Sequence, residues 1–95
     1  MNFPRRAQYS DETSLLRGVD FAPMLTALGT TLVSSPAPSI RFLAATFSTD
    51  APTVAGTQVV FHILNPVKGL YQFVVSASVA TGDRIAMPCE LEVPL

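Results

Sequence analysis

The side chains that could carry chemistry in this chain are few and scattered. His62 is the only histidine and Cys89 the only cysteine, so together they offer two metal ligands at most. A Ser-His-Asp hydrolase would place its serine in a Gly-x-Ser-x-Gly turn, and the sequence contains no such turn. The segments around Asp50 and Asp83 hold too few carboxylates for a calcium site. We therefore expect no enzymatic activity, no metal and no cofactor.

Each of these side chains also has an ordinary structural interpretation. Alternation along its strand places His62 on the opposite face from Phe61. Cys89 is expected on the inward face of the last strand, where a thiol behaves as a small hydrophobic group, and a single cysteine excludes an internal disulfide. Glu90 and Glu92 are expected on the last strand at a solvated sheet edge, where charge discourages unwanted strand pairing.

The composition is too apolar for a domain of this size. Of 95 residues, 48% are hydrophobic and 14% are charged, whereas globular proteins average about 25% charged residues. A chain this short buries only about 60–65% of its unfolded surface, so it cannot cover all of its apolar side chains by itself. Exposed apolar patches usually mark interaction surfaces. We therefore expect a homo-oligomer or permanent attachment to another protein.

Charge and hydropathy argue against nucleic acid and membranes as partners. The formal net charge is −1, and the six basic residues are spread along the chain without a basic stripe. No apolar run approaches the roughly twenty residues that span a bilayer. The first residues also lack the apolar core of a secretory signal. We expect a soluble protein made in a cytoplasm.

The second half of the chain predicts three consecutive strands, at residues 57–64, 70–80 and 84–93. Each alternates apolar and other side chains with the period of a half-buried strand. The expected inward faces are Val59, Phe61 and Ile63, then Tyr71, Phe73, Val75, Ala77 and Val79, then Ile85, Met87, Cys89, Leu91 and Val93. With a hairpin loop at Asn65–Gly69 and a tight turn at Thr81–Asp83, they would form a β-meander.

The first half predicts an arm followed by shorter elements. Residues 1–12 are expected to form an extended N-terminal arm, and residues 13–95 one domain. The elements expected in it are a strand at Thr13–Phe21 with a bulge near Gly18, a helical turn from Pro23 to Gly29, strands at Thr31–Ser35 and Ser39–Phe47, and a turn at Ser48–Pro52. Six to seven short strands and no long helix predict an all-β, antiparallel two-sheet sandwich.

Three groups of residues stand in an order that resembles a known family. They are Asp11-Glu12 with Leu16 and Val19–Leu25, then Gly56–Val59 with Ile63, then Gly69–Phe73 with Val79–Gly82. Together they resemble short structural proteins of tailed bacteriophages that have an immunoglobulin-like sandwich, over about residues 10–93. Phe21 stands where that family usually has tryptophan. The resemblance implies a virion component made in the host bacterial cytoplasm, and it supplies no catalytic residue.

On this resemblance, the leading hypothesis is a capsid decoration or cement protein that binds the major capsid shell or other virion proteins. The alternative is a receptor- or carbohydrate-binding module associated with a fibre or tail. Two sets of residues are candidates for the partner interface. The first is in the arm (Phe3, Pro4, Arg5, Arg6 and Tyr9), and the second is on an outer sheet face (Leu43, Phe47, Val60 and Leu64). The open alternatives are a disordered terminus for the first set and burial under a loop of the same chain for the second.

Overall fold

The computed structural model describes residues 5–7 and 14–94 of the chain. This part contains nine strands and one short helix. In chain order they are β1 (Arg5–Ala7), β2 (Ser14–Asp20), α1 (Ala22–Leu28), β3 (Leu32–Val33), β4 (Ser39–Ala44), β5 (Ser48–Thr49), β6 (Thr53–Ala55), β7 (Gln58–Leu64), β8 (Gly69–Val79) and β9 (Arg84–Val93). The strands form two sheets whose inner faces share one core, which confirms the all-β sandwich.

Sheet A is built around the long antiparallel pair of β8 and β9. Their register runs from Gly69 opposite Val93 to Ser78 opposite Arg84. β1 pairs in parallel with the edge of β9 that faces away from β8. β3 and β4 pair one after the other with the edge of β8 that faces away from β9. The pairing of β4 is interrupted by an irregularity between Phe42 and Ala44.

Sheet B is built around β7. β2 pairs with one edge of β7 in antiparallel register from Ser14 opposite Leu64 to Asp20 opposite Gln58, while β5 and β6 share the other edge. The bulge predicted near Gly18 is wrong, because the register of β2 is continuous. A Cβ at Gly18 would meet the end of the flexible Gln58 side chain, which would have to move aside.

The core confirms the inward faces predicted for the last three strands. Val59, Phe61 and Ile63 of β7 face side chains of sheet A, and all of them are at most 2% exposed. Ile85 and Met87 are partly buried and pack against the same cluster. The buried members on sheet A are Tyr71, Phe73, Val75, Ala77, Val79, Cys89, Leu91 and Val93.

The predicted β-meander is wrong, because β7 and β8 lie in different sheets. The segment Asn65–Lys68 is therefore a connection between the sheets and not a hairpin loop. Both sheets face the same core, so alternation identifies the buried side of each strand without identifying its neighbour. The hydroxyl of Tyr71 donates to the carbonyl oxygen of Val67 at 2.5 Å and ties this connection to the start of β8. Immunoglobulin-like domains have a comparable tyrosine corner.

Helix α1 confirms the helical turn predicted from Pro23 to Gly29. Proline lies in its first turn, where no backbone donor is needed, and Gly29 ends it in the left-handed conformation at φ 66°. Asp20 Oδ1 accepts a hydrogen bond from the backbone N–H of Ala22 at 2.9 Å, which supports the start of the helix. Leu25 is the buried residue of the helix, and it anchors α1 against one end of the sandwich.

The strands between α1 and β7 are shorter and more broken than predicted. The strand expected at Thr31–Ser35 contracts to β3, and the expected turn at Ser48–Pro52 contains β5. β3 and β4 share one edge of β8, and β5 and β6 share one edge of β7.

Candidate interaction surfaces

The outer face of sheet B carries a group of apolar side chains. Leu16 of β2 lies opposite His62 of β7 and is 57% exposed. Val60 and Leu64 flank His62 on the same face of β7 and are half-buried. We call Leu16, Val60 and Leu64 the apolar face of sheet B. The placement of Val60 and Leu64 on an outer face is as predicted, whereas Leu16 was missed although alternation with Val19 indicates it.

The candidate outer-face residues do not form one surface. Leu43 is 50% exposed, but it lies on β4 in sheet A, whereas Val60 and Leu64 lie on β7 in sheet B. The two groups therefore belong to opposite sheets of the sandwich. Alternation assigns a side chain to a face of its own strand, and it does not say which sheet that strand joins.

Phe47 is not on an outer face, and its assignment there is corrected. Its ring packs edge-to-face on Phe42, Tyr71 and Phe73, with centroid distances of 4.9, 5.5 and 5.1 Å. The irregularity in β4 and the positive φ of 57° at Ala45 interrupt the alternation before Phe47. Counting every second residue through this break gave the wrong face.

The arm candidates are described only in part. Arg5 and Arg6 lie in β1, where they are in register with Glu90 and Leu91 of β9. Phe3, Pro4 and Tyr9 lie outside the described residues. β1 therefore forms the edge of sheet A beside β9. The expectation that Glu90 and Glu92 lie on an edge strand is wrong, because β9 pairs with β8 on one side and with β1 on the other.

His62 and Asp50 form a pair at the break between β5 and β6. Asp50 Oδ1 accepts a hydrogen bond from the backbone N–H of His62 at 2.7 Å, and Asp50 Oδ2 lies 2.6 Å from His62 Nδ1. The carboxylate thus takes the place of a strand partner where the ladder along β7 is interrupted. The hydrogen bond from the His62 N–H, followed by the contact with the ring, lowers the pKa of Asp50 below its ordinary value of 3.8.

The surroundings of this pair favour a structural role. The side chains are 43% and 45% exposed, so water screens them and competes for their hydrogen bonds. Catalytic pairs usually operate in a site that excludes water. Within residues 5–7 and 14–94, no three His, Cys, Asp or Glu side chains gather where they could hold a metal ion. Cys89 is buried in the core, as predicted.

One end of the sandwich holds an open cleft of about 580 Å³. Its lining joins α1, the turn into β3 and the turn between β6 and β7, and we call it the end cleft. Its apolar wall includes Leu25 and Leu32, and its hydroxyl-bearing residues are Thr26, Thr30, Thr31 and Thr57. No sequence motif marks this cleft, although glycine–threonine steps occur at both Gly29 and Gly56.

Hydrogen bonds between its walls hold the end cleft in shape. The backbone N–H of Phe21 donates to Thr57 O at 2.9 Å, and the Thr57 hydroxyl donates to Asp20 Oδ1 at 3.1 Å. On the other side, the Ala80 N–H donates to Thr31 O at 3.0 Å. Thr30 Oγ1 is buried beneath the cleft and has no hydrogen-bond partner among the described residues.

α1, the one helix among the described residues, is not long and apolar enough to cross a membrane. Comparison with known proteins gives no relative for this chain: no family model, no curated protein and no solved structure matches it.

Proposed function

We propose that this chain is a non-enzymatic structural protein of a tailed-bacteriophage virion, and most concretely a capsid decoration protein that binds the major capsid shell. The virion setting rests on the sequence resemblance, whose three groups of residues stand in the family's order. The proposal that the chain docks on another protein rests on the apolar face of sheet B. A non-enzymatic role is supported by the open position of the His62–Asp50 pair, whose side chains are 43% and 45% exposed.

The observation that carries the docking proposal is the apolar face of sheet B. Leu16 exposes 57% of its surface on a strand that is held in regular register, next to two further apolar side chains. Full burial of a leucine side chain contributes about 1.5–3 kcal/mol, and more than half of Leu16 remains to be buried against a partner. The arm supplies a second contact, in which the cationic side chains of Arg5 and Arg6 meet acidic groups and Phe3, Pro4 and Tyr9 supply apolar contacts.

Co-sedimentation of the purified chain with capsids and, separately, with tails of the same virion tests this proposal. We expect saturable binding to capsids in a fixed ratio to the shell protein. Leu16→Gln should weaken that binding by at least tenfold, because one anchor of about 1.4 kcal/mol corresponds to a factor of ten. Leu28→Gln is the matched control, since Leu28 is also 57% exposed but lies on α1. Equal losses from both variants, or no capsid binding, would overturn the proposal.

The same face could instead bind a second copy of the chain, which is the expected homo-oligomer. Analytical ultracentrifugation of the chain alone, with Leu16→Gln in parallel, separates this case from capsid docking. A dimer that Leu16→Gln dissociates would assign the face to self-association.

The alternative function is a fibre- or tail-associated module that binds a receptor or carbohydrate. The end cleft favours it, because loops at one end of a sandwich are a common place for ligand sites. Binding to tails but not to capsids in the co-sedimentation experiment would support this alternative over decoration.

A further inference from the structure

We infer that the end cleft binds an uncharged ligand that presents hydroxyl or amide groups on one side and an apolar surface on the other, as a neutral sugar unit does. Its volume of about 580 Å³ is within the usual range of small-molecule sites, roughly 300–1,000 Å³. The cleft and the apolar face of sheet B share no residue. The inference therefore stands whether or not the chain docks on a capsid.

The chemistry of the lining favours an uncharged ligand and opposes an anion. No Lys, Arg, Asp, Glu or His is among the residues that line the cleft. The Asp20 carboxylate lies beside the lining, where it accepts hydrogen bonds from the Ala22 N–H and the Thr57 hydroxyl. An anionic ligand would lose hydration in the cleft and would meet the negative charge of Asp20, and that loss is costly. Threonine hydroxyls can donate to and accept from a polar ligand, while Leu25 and Leu32 give it an apolar surface.

The cleft is preorganised. Its walls are joined by the hydrogen bonds from Phe21 to Thr57, from Thr57 to Asp20 and from Ala80 to Thr31. A site that is held in shape before binding has less ordering cost to offset. Gly56 forms part of the rim with a φ of 62°, and nothing lies within 4 Å of the place that a Cβ would occupy. A ligand can therefore approach the backbone closely at this turn.

The buried hydroxyl of Thr30 is a second, independent observation. Buried polar side chains nearly always have a hydrogen-bond partner, yet Thr30 Oγ1 has none among the described residues. Thr30 also lines the cleft, so rotation about its χ1 bond can turn the hydroxyl toward a bound molecule. A ligand hydroxyl would then supply the missing partner.

The test is a titration of the ¹⁵N-labelled chain, followed by amide chemical shifts. The probes are two neutral sugars, methyl glucoside and N-acetylglucosamine, and one anionic analogue, glucuronate. We expect saturable shifts at Gly29, Gly56 and Thr57 for at least one neutral sugar at roughly millimolar concentration. Glucuronate should bind at least tenfold more weakly than that neutral sugar.

Three variants locate the binding site. Thr26→Trp places a bulky side chain in the cleft and should weaken binding at least tenfold. Thr53→Trp is the matched control, because Thr53 is exposed on β6 and does not line the cleft. Thr30→Val should weaken binding about three- to tenfold while leaving the fold intact. No saturable shift at roughly 50 mM of either neutral sugar, equal binding of glucuronate, or equal losses from Thr26→Trp and Thr53→Trp would each overturn the inference.

Discussion

Phe61→Ala tests how the two sheets share their core. Phe61 is 2% exposed, and its ring meets that of Phe73 across the sandwich, with centroids 6.3 Å apart and planes at 83°. A phenylalanine buries roughly 150–250 Å² of apolar surface. Burial of apolar surface contributes about 25 cal/mol per Å², and alanine still buries part of this surface. The lost burial and the cavity that remains should together lower the free energy of unfolding by about 3–5 kcal/mol.

The neighbouring residue on the same strand supplies the control. Val60 points to the outer face and is half-buried, so Val60→Ala should cost about 1 kcal/mol or less. Urea unfolding followed by far-ultraviolet circular dichroism measures both variants. With a slope of about 1 kcal/mol per M, Phe61→Ala should lower the midpoint by about 3–5 M.

Because small domains have total stabilities of only about 5–15 kcal/mol, Phe61→Ala could leave too little native protein for a full curve. Phe61→Leu, which keeps most of the volume, should then cost about 1–2 kcal/mol and still exceed Val60→Ala. If Val60→Ala destabilises the chain as much as either change at Phe61, the assignment of faces on β7 is refuted.

Two further predictions concern the edges of the sheets. Asp50→Asn should destabilise the chain at neutral pH, because the pKa of Asp50 is lowered by its hydrogen bonds with His62. Because this pKa is lower in the folded chain, ionised Asp50 stabilises the fold above the pKa of the unfolded chain, and this stabilisation disappears as the pH falls through the pKa of the folded chain. The unfolding midpoints of the variant and the wild type should therefore converge below about pH 4. A difference in midpoint that is constant with pH would contradict this. Deletion of residues 1–9 removes the three-residue pairing of β1 with β9 and should cost about 1–2 kcal/mol of unfolding free energy while lowering capsid binding. The control is a chain in which Arg5 and Arg6 are replaced by threonine, which keeps the strand: unchanged capsid binding in both variants would remove the arm from the interface.

Local patterns predicted the parts of this fold that depend on local physics. Alternation along β7, β8 and β9 identified the buried side chains, since a strand's period of two is fixed by its backbone. The end of helix α1 at Gly29 was predictable because few residues other than glycine adopt a left-handed φ readily.

The errors arose where distant parts of the chain meet. The connection at Asn65–Lys68 looks like a hairpin loop in sequence, and only the assembled core shows that it crosses between sheets. Phe47 was misplaced because a break in β4 shifted the alternation. The contact between Asp50 and His62 and the convergence of α1 with Gly56 at the end cleft depend on tertiary packing, for which the single sequence gives no spacing rule.

The break between β5 and β6 limits how other chains can use sheet B. A foreign strand that tried to extend the sheet at this edge would meet runs of two and three residues, interrupted by a carboxylate, and not a continuous backbone template. The interruption therefore disfavours polymerisation of the chain into fibrils along that edge. A partner that approaches this edge must therefore recognise side chains, so its specificity there can change through single substitutions without any change in the backbone.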